Sequence, residues 1–134
     1  LISDIILYTT KEILLMETTS KLVETITKGI QEKKGEYITI VNLTKIDGAI
    51  AKYFVICQGN SSTQVEAIAG SISDTVRTET KEKPINVAGL GNKEWVAIDY
   101  SDVLVHIFLP ETREYYNLET LWEDAAITKI PNLD

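Results

Sequence analysis

The chain has 134 residues, the size of one domain, and its 44% hydrophobic and 25% charged composition belongs to a core-forming protein, not to a disordered one. Thirteen basic against 20 acidic residues leave a formal net charge of −7, which disfavours nucleic-acid binding through a broad Lys and Arg field and suits a basic protein partner. The single cysteine, Cys57, excludes an intrachain disulfide and a cysteine metal cluster and fits a reducing, cytoplasmic setting; no stretch reaches the roughly 20 apolar residues of a membrane-spanning helix.

In chain order, residues 1–15 begin without Met and precede the chain's only methionine, Met16. They lack the basic front and small-residue cleavage site of a secretory signal. They read as an upstream extension without function, helical from about Thr10, and a single domain is expected over residues 16–134. From Thr19 to Lys33, Leu22, Val23, Ile26 and Ile30 recur at helical spacing, which predicts a first amphipathic helix closed by Gly35. Tyr37 to Leu43 alternates with β-branched residues, Asp47-Gly48 marks a turn, and Tyr53 to Cys57 is a continuous apolar run, so two strands follow. Val65, Ile68, Ala69, Ile72 and Val76 then fit a second helix, entered at Gly59-Asn60-Ser61 with Ser61/Gln64 or Thr63/Glu66 at capping-box spacing and ended by Pro84.

A short strand at Ile85 to Val87 precedes two strong strand patterns, Glu94 to Asp99 and Asp102 to Leu109, separated by Tyr100-Ser101: a β-hairpin. After a turn at Pro110, a third helix is expected from about Asn117 to Ala126. The fold class is therefore α+β, a mixed five-strand sheet with about three helices. In the hairpin Val103, Val105 and Ile107 point to one face and Leu104, His106 and Phe108 to the other, so the sheet is apolar on both sides. Either three short helices cover both faces, or part of the sheet, with Trp95 and Trp122 nearby, docks another chain.

Signals for catalysis are sparse. Gly59-Asn60-Ser61 before a helix resembles the Gly-Ser turn beneath the triphosphate in nucleotidyltransferases, but Ile85 to Gly89 lacks the paired carboxylates that would hold Mg²⁺. Asp99 and Asp102 flank the hairpin turn and suit local hydrogen bonding. His106, the only histidine, and Cys57 both lie in apolar strands, where a Cys-His pair has no support from spacing; a zinc site fails on ligand count. Tyr115, Tyr116, Leu118, Leu121, Trp122 and Trp95 lie instead among Glu94, Asp99, Glu111, Glu114, Glu119, Glu123 and Asp124, a pattern suited to an acidic-rimmed apolar interface. The residues alone favour a binding module over an enzyme.

The run Trp95-Val96-Ala97-Ile98-Asp99-Tyr100-Ser101-Asp102 through Phe108, followed by Arg113-Glu114-Tyr115-Tyr116-Asn117-Leu118-Glu119 and Leu121-Trp122, resembles the signature of the ribosomal silencing factor S family, the iojap-like proteins. Asp47, Tyr53 to Ser61 and Gln64 to Ala69 extend the resemblance to about Thr19–Trp122. It implies a nucleotidyltransferase-like fold without the catalytic carboxylates. The implied function is a non-enzymatic translation repressor that binds the large ribosomal subunit through its basic L-fourteen protein and sterically blocks joining of the small subunit when nutrients are scarce. A homodimer off the ribosome, little direct nucleic-acid contact, and no cofactor or metal are implied as well. The family's characteristic surface maps to Trp95, Asp99, Tyr100, His106, Phe108, Tyr116, Leu118 and Trp122. Ser101 departs from the Gly that many members carry in the hairpin turn, where a left-handed residue is harder for Ser. The alternative function is a metal-dependent nucleotidyltransferase or nucleotide-binding protein using Gly59, Ser61, Asp99 and Asp102; a third is a dimeric scaffold.

Overall fold

A computed structural model describes residues 10–122 and 124–133. The first nine residues of the expected extension lie outside that range; the remainder belongs to helix α1 (Thr10–Glu32), continuous with the amphipathic stripe. Leu22, Val23, Ile26 and Ile30 are buried on one side of α1. The left-handed residue that ends it is Lys34, at φ 58°, and not Gly35. Gly35 donates its amide to the Ile30 carbonyl at 3.0 Å, and a Cβ there would come within 2.4 Å of Ile30 Cγ2, so glycine is needed for space.

Strands β1 (Glu36–Asn42) and β2 (Tyr53–Gln58) form an antiparallel pair, and helix α2 (Ser62–Thr80) follows. Its entry uses the first of the two expected capping pairs: Ser61 Oγ accepts the Gln64 amide at 3.1 Å, while Gln64 Oε1 accepts the Asn60 amide at 2.7 Å. The helix stops at Lys81, left-handed at φ 64°, three residues before Pro84. Helices α1 and α2 pack closely because Gly29 has no side chain. A Cβ there would lie 2.9 Å from Ile72 Cα, and the Ser71 hydroxyl donates to the Gly29 carbonyl at 2.7 Å.

Strands β3 (Asn86–Ala88), β4 (Trp95–Asp99) and β5 (Val103–Phe108) come next, with β4 and β5 in the expected antiparallel hairpin and β5 parallel to β2. The C-terminal stretch differs from expectation. Helix α3 spans Pro110–Tyr116, with Pro110 in its first turn, where its missing N–H costs nothing. Asn117, left-handed at φ 48°, ends α3 where the third helix was expected to begin, and Leu118–Trp122 forms a 3₁₀ turn. A sixth strand, β6 (Ala126–Ile130), pairs with β1 and makes the sheet β3-β4-β5-β2-β1-β6.

The sheet has two different faces. Both long helices lie on one of them, over Ile38, Val55, Cys57, Val96, Ile98, Val103, Val105 and Ile107. On the other, Val41, Leu43, Phe54, Ile56 and Phe108 are covered in part by Ile46, Ala49 and Ala51 from the β1–β2 loop and by Leu118, Trp122 and Ala125 from the C-terminal segment. Helix α3 buries none of its residues. The three helices therefore do not share the two faces between them.

Candidate functional site

The second face is an aromatic layer assembled from three strands and the C-terminal turn. Strand alternation puts Trp95 of β4, His106 and Phe108 of β5, and Phe54 of β2 on one side. The register sets Trp95 opposite Phe108, and Ile56 opposite His106. The Trp95 and Phe108 rings stack with centroids 5.0 Å apart, and Tyr116 meets Trp95 at 4.7 Å. Phe54 meets His106 edge-on at 4.9 Å and Trp122 at 5.8 Å. Phe108 and His106 form the floor, Trp95 and Trp122 are half-buried, and Tyr116 is 48% exposed.

One polar contact organises this layer. The Trp95 indole Nε1–H donates to His106 Nδ1 at 3.0 Å. Burial lowers the His106 pKa to about 4, against a smaller opposing pull from Glu119, so the ring is neutral at physiological pH. With Nδ1 accepting, its proton sits on Nε2.

The C-terminal segment is tied over the sheet by Arg113. Its guanidinium donates to the Tyr37 carbonyl at 2.7 Å, to Thr39 Oγ1 at 3.1 Å and to Gln58 Oε1 at 3.3 Å, and it pairs with Glu119 at 2.7 Å. A register irregularity in β1 and a φ of 50° at Tyr37 accompany that bond to the Tyr37 carbonyl. Beyond the Arg113–Glu119 pair, a groove of about 490 Å³ includes Tyr37, Ile127 and Lys129 in its lining. Arg113 is the only Lys or Arg between Glu94 and Asp124 in the sequence, and Glu94, Glu111, Glu114 and Asp124 are exposed.

The structure thus brings together six of the eight residues singled out in the sequence: Trp95, His106, Phe108, Tyr116, Leu118 and Trp122. Asp99 stands at the end of the same face, where its carboxylate accepts the Ser101 amide at 2.7 Å. Tyr100 does not join them. It packs in the helix-covered core at 5% exposure, and burial raises its phenol pKa. Phe54 and Arg113 were not singled out, for different reasons. Phe54 sits in an unbroken apolar run that hides which face each side chain takes, and the partners of Arg113 on β1 and β2 lie 55 to 76 residues away.

Comparisons with known proteins bear on the family and the fold. Residues 16–134 match the family model described as ribosomal silencing factor during starvation. The chain belongs to the ribosomal silencing factor family. It is 36% identical over 110 residues to ribosomal silencing factor RsfS of Halalkalibacterium halodurans, an alignment covering 82% of this chain and 92% of that one. A mouse relative, named mitochondrial assembly of ribosomal large subunit protein 1, is 32% identical over 72 residues, covering 52% of this chain and 32% of its own length. Among solved structures, a Chromobacterium violaceum protein superposes with a TM-score of 0.72 at 28% identity, covering 77% of this chain and 84% of that one.

In this family member the residues of the nucleotide-type alternative are not assembled. Gly59 and Ser61 follow the C-terminal end of β2, whereas Asp102 bonds the Lys52 and Tyr53 amides at its other end. The length of the strand, on the order of 17–20 Å, separates them. The turn itself is engaged: Gln64 Nε2 donates to the Lys33 and Lys34 carbonyls, and Asn60 Nδ2 donates to Glu36 Oε1. Asp102 Oδ2 accepts from Thr19 at 3.3 Å and lies 3.9 Å from Lys52 Nζ. Cys57 and His106 occupy opposite faces of the sheet, and burial pushes the Cys57 thiol up to about 12. Among the described residues no group of three or more His, Cys, Asp or Glu side chains is placed to hold a metal ion, and no helix is long and apolar enough to cross a membrane.

Proposed function

We propose that this chain is a non-enzymatic repressor of translation that binds the large ribosomal subunit through its basic L-fourteen protein and blocks joining of the small subunit. The reading rests on family membership and on the aromatic face with its acidic surroundings. An interface of this kind takes its energy from a few aromatic anchors, while like-signed charges around it speed the encounter with a basic partner. Trp95, Tyr116, Leu118 and Trp122 are the contact candidates; His106 and Phe108 support them from below. Asp99 shapes the adjoining turn, and Tyr100 acts through the core. The action is cytoplasmic and needs no cofactor, and a homodimer is the form off the ribosome. The mouse relative's name, which refers to assembly of the ribosomal large subunit, supports the choice of subunit.

Sedimentation of purified large and small subunits with and without the chain tests the reading. The expected result is loss of the joined ribosome with the chain in the large-subunit fraction; unchanged joining at excess protein refutes it. Replacing Trp95 by Ala is expected to weaken large-subunit binding by on the order of 1–4 kcal/mol. Undiminished binding by the folded Trp95→Ala chain would move Trp95 out of the interface.

A further inference from the structure

His106 stands apart from the other floor residues of the aromatic face, because Val41, Phe54, Ile56 and Phe108 are purely apolar there. It is 5% exposed, too deep for a main contact with a partner. It nonetheless holds the partly exposed Trp95 through the 3.0 Å indole bond. Stacking on Phe108 and contact with Tyr116 leave an indole ring free to rotate or slide in its plane; a directed N–H bond removes that freedom. A ring fixed before docking avoids the ordering cost that a mobile anchor pays on binding.

We propose that His106 is a positioning residue of the docking face: by accepting the Trp95 indole N–H at Nδ1 it fixes the ring that the ribosomal partner meets. The inference rests on the docking reading of this face. The acceptor and not the ring is what matters. Asn places its Oδ1 near the position of Nδ1 and restores the bond; Leu fills similar space without an acceptor. The lowered pKa of His106 agrees with this role, since a protonated ring has no acceptor to offer.

The test combines a double-mutant cycle with a spectroscopic signature. Large-subunit binding of the full chain is measured for wild type, His106→Leu, His106→Asn, Trp95→Phe and the Trp95→Phe/His106→Leu pair. His106→Leu is expected to weaken binding about tenfold, the worth of one buried hydrogen bond, and His106→Asn to stay within about threefold of wild type. In the Trp95→Phe background, which has no indole N–H, His106→Leu is expected to change binding less than about twofold. The Trp95 Nε1–H resonance, assigned by its absence in Trp95→Phe, is expected to exchange slowly in wild type and His106→Asn and rapidly in His106→Leu, with the Trp122 resonance as internal reference. Should His106→Leu fail to fold, His106→Phe fills the ring volume without an acceptor and takes its place in the cycle. Folded His106→Leu that binds like wild type, or loses equally in both backgrounds, overturns the proposal alone. A wild-type chain that does not bind the large subunit overturns the docking reading and the proposal with it, even if the indole signature is as expected.

Discussion

The two faces of one sheet are built by opposite rules. The helix-covered face is aliphatic, closed by two long helices that meet at Gly29, and dominated by fully buried Val and Ile. The other is aromatic, covered by a loop, a 3₁₀ turn and a short helix that buries nothing, and it leaves the edges of large rings at the surface. Every central strand contributes to both, since alternate side chains of β4, β5 and β2 go to opposite sides. On the proposed docking reading, stability is concentrated on one side and recognition on the other, with the stable side holding the recognition side rigid.

The largest effect should come from cutting into the helix-covered face. Ile26, fully buried on α1, is expected to cost about 3–4 kcal/mol when replaced by Ala, from lost transfer energy plus a cavity. Large-subunit binding at a temperature where the variant stays folded should be unchanged. Urea unfolding beside a binding titration reads both quantities. A binding loss as large as the stability loss would break the division of labour between the faces.

The aromatic face should be the more acid-sensitive one. The folded state keeps His106 neutral, with a pKa lowered from 6.5 to about 4, whereas the unfolded chain protonates it near the ordinary value. Between those two values the unfolded chain binds the extra proton. Stability from this residue is complete above about pH 6.5 and declines as the pH falls toward 4, by about 3 kcal/mol in total. Unfolding free energies measured at about pH 7, 5.5 and 4 should show that decline in wild type and a flatter profile in His106→Asn. Equal acid losses in the two chains would assign the sensitivity to other groups.

The two faces also differed in how far they could be read in advance. Helices α1 and α2, the hairpin and the opposed faces of β5 were legible, because helical spacing, a capping box and strand alternation are local patterns. The end of the chain was not. In Ala126–Ile130 the two isoleucines are three apart and point to different faces, so no period-2 pattern marks β6; pairing with β1 makes it a strand. Pro110 signals a turn in the sequence but equally suits the first turn of a helix, and the left-handed Asn117 separates α3 from the 3₁₀ turn. For the candidate site, aromatic composition pointed to the right neighbourhood. It could not separate Tyr100, which turns into the other core, from Trp95, nor reveal that His106 and Trp95 are bonded.

Arg113 tests how the thin cover of the aromatic face is held. Its bonds join α3 and Glu119 to β1 and β2, and the side chains of the ion pair are only 13% and 22% exposed. Replacing Arg113 by Met keeps the apolar stem and strands the Glu119 carboxylate, at a cost of about 2 kcal/mol. Loosening of the 3₁₀ turn should appear as faster exchange of the Trp122 indole N–H while amides of α2 remain protected. Uniform loss of protection would show that the cover and the helix-packed core unfold as one unit.

The smallest effect, and the only favourable one, belongs to Ser101, in the hairpin turn where both faces end. Its φ of 72° lies in the left-handed region that costs a residue with a Cβ about 1–2 kcal/mol. Glycine removes that strain but adds freedom to the unfolded chain, so Ser101→Gly should raise stability by only about 0.5–1 kcal/mol. The bond from the residue 101 amide to the Asp99 carboxylate uses backbone and survives the change. Large-subunit affinity should stay within about twofold of wild type, because Trp95 lies at the far end of β4 from the turn and His106, opposite Ala97, is also set back from it. A gain in stability accompanied by a loss of binding would mean that the strained turn shapes the docking face, and that recognition extends along β4 and β5 to Asp99.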